Sequence, residues 1–499
     1  MMTVTNKLLV LLLILTLHAE VLNAQQNSRQ PNIIVILADD LGWKDLGCYG
    51  SSFYETPNLD NLAASGIKFT QAYAASPVCS PTRASILTGK YPTKTGVTDW
   101  IKGRQEYGKA RSFEKFITPA TAYQLSLDEN TISEYALANG YTTFFAGKWH
   151  LGEEEKYWPQ AHGYLTNIGG WSAGSPTGRK NDTTGGFFTP YKNPRLTDRP
   201  AGEYLTDRLT NECLKFIEQK KDAPFFLFYS LYAVHNPMQA PADLINKYKL
   251  KMKSSTSDTA GRFDNSEAWM RFEPGWKKRL IQDNPVYAAM VENMDWNIGR
   301  MISKLEELQL LENTLIVFTS DNGGLSTAEG SPTSNIPLRG GKGWLYEGGI
   351  RVPLILHWKG KAEAATVSDL PVHSADIFPT LAGIVNKNYK KTDDIDGDNI
   401  FQMITEYHRY KDRVIIWDYP HYSNQGGKPG AAIRQGKFKL IYKFEDNSTE
   451  LFNLDTDISE QNNIAADYKV KNRTLRKKLL QWVKQHRKDG FKLNSNYRP

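Results

Sequence analysis

The sequence predicts an α/β protein with a mainly parallel central sheet flanked by helices, followed by a smaller C-terminal α+β subdomain. Apolar, β-rich runs alternate with helical patterns over most of the chain, an order that places helices on both faces of a parallel sheet. Near the end, "GKFKLIYKF" and "ELFNL" flank a polar turn like an antiparallel hairpin, and a basic amphipathic helix is predicted near residues 465–488. We therefore expect one large domain over residues 25–400 and a subdomain over residues 401–499.

The amino terminus, residues 1–24, has the layout of a cleaved secretory signal peptide. Lys7 precedes an apolar run from Leu8 to Leu17, and the small residue Ala24 stands where cleavage is expected. The run is too short to cross a bilayer, so no membrane span is expected after removal of the signal. The sequence thus predicts a periplasmic or secreted protein.

Charge and cysteine content narrow the classes of function. Lys and Arg number 61 against 54 Asp and Glu, a formal net charge of +7 that suits an anionic partner, although we expect no nucleic acid. There are only three cysteines, and an odd, low count argues against a disulfide framework in an exported protein. Cys48 and Cys213 are interpreted as ordinary apolar thiols, which leaves Cys79 to be explained.

Polar residues cluster where four predicted strands end. In open α/β sheets the ligand crevice lies beyond the carboxyl ends of the strands, so such residues are expected to converge on one site. They are Asp39 and Asp40 in "NIIVILADD", Lys148 and His150 in "TTFFAGKWH", His235 in "PFFLFYSLYAVH", and Asp321 and Asn322 in "TLIVFTSDN". One such ending is more often a helix cap or a turn, but four together favour a functional site.

Cys79 stands in "CSPTR", which together with the following "ASILTGKYPTKTG" resembles the C-x-P-x-R signature of the type I, formylglycine-dependent sulfatases. The resemblance is arylsulfatase-like, closest to the bacterial polysaccharide sulfatases, and implies the alkaline-phosphatase-like fold. It also implies that a formylglycine-generating maturation enzyme oxidises Cys79 to an aldehyde, which hydrates to a diol. One diol oxygen then attacks sulfur and displaces the alcohol, and the other expels sulfate as the aldehyde re-forms.

The same resemblance implies a metal site. "LADDLGWKDLGCYG" is similar to the family's first metal motif and "SDNGG" to its second. The implied ligands are Asp39, Asp40, Asp321, Asn322 and the formylglycine oxygen from Cys79. Hard oxygen donors without a His or Cys cluster favour Ca²⁺ over Zn²⁺, and Mg²⁺ is the alternative.

Further motifs imply the catalytic side chains. "GKWHLG" resembles the element in which Lys148 binds sulfate and His150 holds the formylglycine hydroxyl, and "LRGGKGWLYEGGIRVP" points to Lys342 as the second sulfate-binding lysine. With Arg83 of "CSPTR", these cations would stabilise charge on the sulfuryl oxygens. His235, in "HNP", matches the histidine that protonates the leaving alcohol oxygen.

Two segments offer groups that would reach a sugar. They supply Asp99, Trp100 and Arg104 from "TDWIKGR", and His421, Tyr422 and Arg434 from "WDYPHYSNQGGKPGAAIR". Export and the resemblance to polysaccharide sulfatases favour a sulfated carbohydrate, of algal or glycosaminoglycan type, as the substrate. Two alternatives are a phosphomonoester or phosphonate-ester hydrolase on the same fold, and a non-catalytic glycan-binding protein.

Overall fold

The computed structural model describes residues 30–176, 185–198, 200–254, 261–264 and 275–498. The predicted signal peptide, residues 1–24, lies outside the described residues. Within the described ranges, no helix combines the length and the apolar composition that crossing a bilayer demands.

The described residues form strands that we number in chain order. They are β1 (Asn32–Ala38), β2 (Ile67–Tyr73), β3 (Phe116–Ile117), β4 (Thr142–Gly147), β5 (Thr166–Ile168), β6 (Phe225–Ser230), β7 (Phe263–Asp264), β8 (Lys278–Arg279), β9 (Thr314–Ser320), β10 (Arg351–His357), β11 (Thr366–Ser368), β12 (Val372–His373), β13 (Val414–Tyr419), β14 (Gly430–Gln435), β15 (Phe438–Lys443), β16 (Thr449–Asn453) and β17 (Lys492–Leu493).

The α-helices are numbered in the same way. They are α1 (Pro57–Ala64), α2 (Cys79–Thr88), α3 (Pro92–Thr95), α4 (Arg104–Gly108), α5 (Ile132–Ala138), α6 (Leu205–Gln219), α7 (Ala242–Ser254), α8 (Pro285–Glu307), α9 (Glu347–Ile350), α10 (Ile377–Val385), α11 (Ile400–Thr405), α12 (Tyr407–Tyr410) and α13 (Lys469–His486).

The main sheet has nine strands in the order β11-β2-β10-β9-β1-β6-β4-β5, with β12 also paired to β2. Strand β1 lies near the centre and is parallel to both neighbours, β9 and β6. Every residue of β1 is buried, as expected for a parallel strand covered on both faces. Strand β10 runs antiparallel to β9 and β2. The prediction of a mainly parallel sheet is therefore confirmed.

Two apolar cores cover the faces of this sheet, because successive side chains of a strand point to opposite sides. Ile34 and Ile36 of β1 face a core shared with helices α6 to α8, whereas Ile33 and Val35 face a second core shared with α2, α5 and α10. The helices thus form layers on both sides, which leaves the ends of the strands open for a site.

Local sequence signals set where the helices begin. Asn284 precedes α8, and its side-chain oxygen accepts hydrogen bonds from the backbone N–H groups of Val286 and Tyr287 at 3.0 and 3.4 Å. Pro285 occupies the first helical position, where no N–H is needed. A side-chain cap and a first-turn proline therefore fix the start of this long helix.

The C-terminal region forms a four-stranded antiparallel sheet, β13-β14-β15-β16, which we call the small sheet. Strands β15 and β16 are the predicted hairpin, with Leu440 opposite Leu451, and α13 is the predicted basic helix. Both predicted elements are confirmed. The boundary between domains at residue 400 stays a prediction.

Candidate active site

The predicted site residues converge at one edge of the main sheet. Asp39 follows β1, Lys148 follows β4, Asp321 follows β9, and His235 follows β6 by a short loop. Lys342 lies on the segment before β10, and β10 is antiparallel, so its amino end meets the carboxyl ends of its neighbours. Strand direction alone therefore assembles these side chains.

Cys79 is the first residue of α2 and is buried, reached by a loop that leaves the end of β2. Its Sγ atom lies 3.3 Å from Nδ1 of His150. The other ring nitrogen, Nε2, donates to the backbone carbonyl of Ile101 at 3.0 Å, so Nδ1 is the acceptor that faces the thiol. Burial, with Lys148 adding positive charge nearby, lowers the pKa of His150 to about 3, which keeps the ring neutral.

A glycine allows the strand that carries these residues to lie close to its neighbour. Gly147 has φ +106°, and a Cβ there would lie 1.8 Å from the Ser230 carbonyl oxygen. The next residue, Lys148, donates its backbone N–H to that same carbonyl at 2.8 Å. The glycine of "GKWHLG" is thus required for the approach of β4 to β6 at the site.

Arg83 is buried on α2 and holds three strand ends together. Its Nε and Nη2 atoms donate to Oδ2 of Asp321 at 2.9 and 2.6 Å. Its Nη1 atom donates to the Lys148 carbonyl at 2.9 Å and to Oγ of Ser230 at 2.6 Å. Burial opposes its charge, but the carboxylates of Asp321 and Asp39 raise the pKa of Arg83 above its usual value. Arg83 therefore positions Asp321.

Two aspartates and two lysines form interlocked pairs beside Cys79. Lys148 Nζ donates to both oxygens of Asp39, at 2.9 and 2.8 Å, and Lys342 Nζ donates to Oδ2 of Asp40 at 2.8 Å. Burial raises the pKa of Asp39 well above its usual value even though Lys148 lowers it. Burial acts on Asp40 too, but Lys342 and His235 outweigh it and lower the pKa of Asp40. Asp40 thus carries its negative charge more readily than Asp39.

The donor set fits a hard divalent cation. The carboxylates of Asp39 and Asp40 lie together, and Oδ1 of Asp321 accepts from the Asp40 backbone N–H at 3.1 Å. The cations of Arg83, Lys148 and Lys342 balance the charge of these carboxylates. Asn322 donates Nδ2 to Oδ1 of Asp40 at 2.8 Å, whereas its own Oδ1 is buried and has no hydrogen-bond partner among the described residues. A buried amide oxygen without a hydrogen-bond partner, on a residue that contacts a carboxylate, is available as a ligand for such a cation.

One histidine, His235, lies beside the predicted oxygen ligands. Ligand atoms of Asp39, Asp40 and His235 all lie within 4.8 Å of one another. Nε2 of His235 accepts from Lys342 Nζ at 3.1 Å and lies 3.6 Å from Oδ2 of Asp40, while Nδ1 donates to the Asn236 carbonyl at 2.8 Å. Burial and Lys342 lower the pKa of His235 to about 3.

The predicted sugar contacts divide into two groups. Asp99 and Trp100 lie on the loop whose Ile101 carbonyl contacts His150, and His421 Nε2 lies 2.9 Å from Thr98 Oγ1 on that loop. Among these residues Trp100 is partly exposed, whereas Asp99 is buried and accepts from the Tyr419 hydroxyl at 3.0 Å. Burial raises the pKa of Asp99 to about 7.

Other predicted contacts are engaged in structural pairs. Arg104 is paired with Glu114, and the Tyr422 hydroxyl donates to Glu445 Oε1 at 2.7 Å. Arg434 is buried between the small sheet and β2, where its Nη1 donates to the Tyr73 hydroxyl at 2.6 Å. The side chain of Arg434 therefore points from β14 toward β2, and its role in sugar binding stays a prediction.

Two residues that orient His150, Ile101 and Ser80, were not predicted from the sequence. The Ile101 carbonyl fixes the tautomer of His150, and Ser80 Oγ accepts from the Ile101 N–H at 3.3 Å while donating to the His150 carbonyl at 3.0 Å. Ser80 was visible as the residue after Cys79 in "CSPTR". Ile101 could not be found in this way, because a backbone carbonyl leaves no signal in the sequence.

Comparison with known proteins identifies the family. The family described as sulfatase matches residues 31–387, well over half of the chain. The chain belongs to the sulfatase family. A second match, described as N-sulphoglucosamine sulphohydrolase, C-terminal, covers residues 341–489. The resemblance seen in the motifs is thereby confirmed, and this sulfatase is a sulfuric ester hydrolase.

Similar proteins span most of this sulfatase. A sulfatase of Formosa agariphila is 30% identical, with 91% of this chain and 88% of that one aligned. The N-acetylgalactosamine-6-sulfatase of Canis lupus familiaris is 31% identical over 77% of this chain and 68% of its own. The structure of Ps i-CgsB in complex with k-i-k-neocarrahexaose matches with a TM-score of 0.71 and 28% identity, covering 91% and 93% of the two chains. The predicted alkaline-phosphatase-like fold is confirmed.

Proposed function

We propose that this sulfatase uses a formylglycine made from Cys79, with a divalent metal ion beside it, to remove sulfate from a sulfated carbohydrate. The observation that carries the proposal is the position of the Cys79 thiol. It is buried at the start of α2, it faces an acceptor nitrogen of His150, and the Asp–Lys pairs flank it. A structural thiol such as Cys213, fully buried in an apolar core, has no such surroundings.

His150 holds the nucleophile through a ring nitrogen whose role is fixed by its neighbours. In its formylglycine form, the side chain at position 79 supplies the diol oxygen that attacks sulfur. Because Nε2 of His150 is committed to the Ile101 carbonyl, Nδ1 is fixed as the acceptor for a hydroxyl proton on that side chain. Ser80 fixes the backbone of Ile101 relative to that of His150, because its hydroxyl hydrogen-bonds to both.

Asp39, Asp40, Asp321 and Asn322 would hold the metal ion. An all-oxygen donor set favours Ca²⁺ over Mg²⁺, because Ca²⁺ accepts more protein oxygens in a less regular geometry. When bound, the ion supplies positive charge that favours the ionised nucleophile and offsets the charge of the sulfate.

The remaining cations act on the sulfate ester. Lys148 and Lys342 present ammonium groups on either side of the aspartates, and we assign them to the sulfuryl oxygens. Lys342 also donates to Nε2 of His235 at 3.1 Å, so this pair carries the proton that the leaving oxygen takes up. Arg83 keeps Asp321 in place through two hydrogen bonds to its Oδ2 atom and adds positive charge beside the sulfate.

A sulfated carbohydrate is supported by two relatives. One is an N-acetylgalactosamine-6-sulfatase, and the other is bound to an oligosaccharide, k-i-k-neocarrahexaose. Trp100, partly exposed on the loop next to His150, offers a ring face for stacking on a sugar. We also propose that the protein is exported to the periplasm or beyond and that a maturation enzyme recognises "CSPTR".

The test combines peptide mass spectrometry with substrate turnover. Protein co-produced with a formylglycine-generating enzyme should carry an aldehyde at position 79 and release sulfate from sulfated oligosaccharides. Cys79→Ala should abolish release, whereas Cys213→Ala, the matched core thiol, should keep most of it. Full activity with an unmodified thiol would overturn the mechanism. Turnover confined to aryl sulfates would overturn the carbohydrate substrate, and faster hydrolysis of phosphate esters would favour the phosphatase alternative.

A further inference from the structure

Helix α13 carries the excess positive charge of the protein. Its sequence, KVKNRTLRKKLLQWVKQH, contains seven Lys and Arg residues and no Asp or Glu. The whole chain has 61 cationic and 54 acidic side chains. The 54 cations outside α13 therefore balance the 54 acidic residues, and the net charge of +7 equals the charge of this one helix.

These seven cations are exposed, and within the described part of the chain none of them forms an ion pair. They contrast with Lys247 and Lys251 on α7, which are paired with Glu55. Arg476 lies over the Tyr442 ring at 5.4 Å, a contact that leaves its charge without an acidic partner. The helix thus presents concentrated positive charge to solvent.

Five of the cations form a stripe, which we call the basic face. At 100° per residue, Lys469, Arg473, Arg476, Lys477 and Lys484 fall within about a third of the helix circumference. From the first to the last, the stripe extends about 22 Å at 1.5 Å per residue. A linear polyanion would meet a cation at nearly every turn along it.

The apolar face of α13 is already occupied. Leu475, Leu479 and Val483 are buried against Ile433 and Leu440 of the small sheet. An amphipathic helix that binds a membrane needs a free apolar face to insert, and α13 has none. What remains available is an electrostatic surface, which suits a hydrated, charged chain.

The basic face lies on the other side of the small sheet from the active site. One face of that sheet, with Trp417 and Ile441, packs on Val78, the residue before Cys79. The opposite face, with Ile433 and Leu440, packs on α13. A ligand on the basic face would therefore not occupy the catalytic crevice.

We propose that the basic face of α13 is a second binding site, which holds a sulfated glycan chain while another part of that chain is processed at Cys79. The proposal rests on the sulfated carbohydrate substrate proposed above. Sulfate groups repeated along a glycan match a linear array of unpaired cations, and anchoring the chain raises its concentration at the crevice.

The test uses the full-length protein and two charge-matched variants. The first combines Arg473→Glu, Lys477→Glu and Lys484→Glu on the basic face. The second combines Lys215→Glu on α6 with Lys249→Glu and Lys253→Glu on α7, which are exposed and make the same change in net charge. Binding to dextran sulfate, to unsulfated dextran, to duplex DNA and to anionic lipid vesicles is measured at 150 mM NaCl, after thermal unfolding shows that both variants are folded.

The basic-face variant should bind dextran sulfate about tenfold more weakly, because three exposed contacts are lost and three repulsions added. Its KM for a sulfated polysaccharide should rise, with turnover of a small aryl sulfate unchanged, and the α6 and α7 variant should resemble wild type. Equal weakening in both variants, or tighter binding of DNA or vesicles than of dextran sulfate, would overturn the proposal. Binding does not depend on catalysis, so wild-type protein that binds through α13 but desulfates no glycan would contradict the proposed substrate and support the basic face.

Discussion

Nδ1 of His150 lies 3.3 Å from Sγ of Cys79, at the buried start of α2. The contact joins residues that are far apart in sequence, and it exists because β2 and β4 end at the same edge of the main sheet. The Ile101 carbonyl behind the ring settles which nitrogen faces Cys79.

Replacing His150 by Ala should lower kcat by about 10²-fold, because the group that orients the nucleophile is lost. Peptide mass spectrometry on the same samples separates a catalytic defect from failed oxidation of Cys79. His357→Ala is the control, since His357 is also buried but ends β10, at the edge of the sheet opposite the site. An unchanged kcat in His150→Ala would contradict the role that we assign to the His150 ring.

Arg83→Lys should destabilise the protein by about 3 kcal/mol although it keeps the charge, because Lys cannot make the forked contacts of a guanidinium. Arg83 donates to Asp321, Ser230 and the Lys148 carbonyl together. Urea unfolding measures the loss. Arg300→Lys, at a partly exposed site on α8, should change stability by less than about 0.5 kcal/mol. Similar stabilities for the two variants would argue against Arg83 as a structural centre.

His235→Ala should slow sugar sulfates far more than aryl sulfates, because a sugar alkoxide leaves poorly without a proton whereas a nitrophenolate leaves readily. We expect a loss of about 10²-fold for a sulfated sugar and less than about tenfold for 4-nitrophenyl sulfate. Lys342→Ala should slow both substrates, since its ammonium, which we assign to the sulfuryl oxygens, also donates to His235. Kinetics with both substrates on both variants decide the assignment, and equal losses for His235→Ala would contradict it.

Calcium should raise the melting temperature of protein treated with EGTA. Binding to the folded state alone stabilises by about 2.7 kcal/mol when the ion is present at a hundred times its Kd. Asn322→Ala should weaken this shift, because it removes the unpartnered Oδ1 from the cluster. Asn297→Ala, at a buried site on α8, should retain it. An equal shift in the two variants would place the ion elsewhere.

Glu460→Gln should gain stability relative to wild type as the pH rises from about 4.5 to 7. Glu460 and Glu347 share the ammonium of Lys439, at 2.8 and 2.9 Å, in the buried contact between the small sheet and α9. Burial raises the pKa of Glu460 to about 7, while Lys439 and Arg351 hold the pKa of Glu347 at about 2 despite burial.

The sign of that prediction follows from proton binding. Between its unfolded pKa and about 7, Glu460 binds a proton more tightly in the folded protein, so wild-type stability falls as pH rises through this window. The Gln side chain has no such dependence. The difference in melting temperature between variant and wild type, measured at several pH values, should therefore increase with pH, and a constant difference would contradict the shift.

Much of the fold could be predicted because its signals are local. The buried run of β1, the hairpin of β15 and β16 and the basic helix α13 all follow from the spacing of apolar residues over short windows. The site residues could be predicted because parallel strands end at a common edge, and because "CSPTR" and its companion motifs carry a family resemblance.

Other features depend on side-chain directions and long-range contacts that only the folded chain sets. Arg434 stood in a polar, aromatic segment that suggested sugar binding, but the direction of β14 turns it toward Tyr73. His235 was expected as a proton donor, and only the fold places it against both Asp40 and Lys342. The contribution of Ile101 comes from a backbone carbonyl, which any residue would supply.

The sequence by itself determined the family, the main elements of the fold and the residue types at the site, because these follow from the local spacing of apolar residues and from short motifs. The tertiary structure decided which charges pair, which nitrogen of His150 faces Cys79, and that the charged helix lies across the small sheet from the catalytic edge. These depend on strand direction and on the packing of distant segments, which no short stretch of sequence specifies.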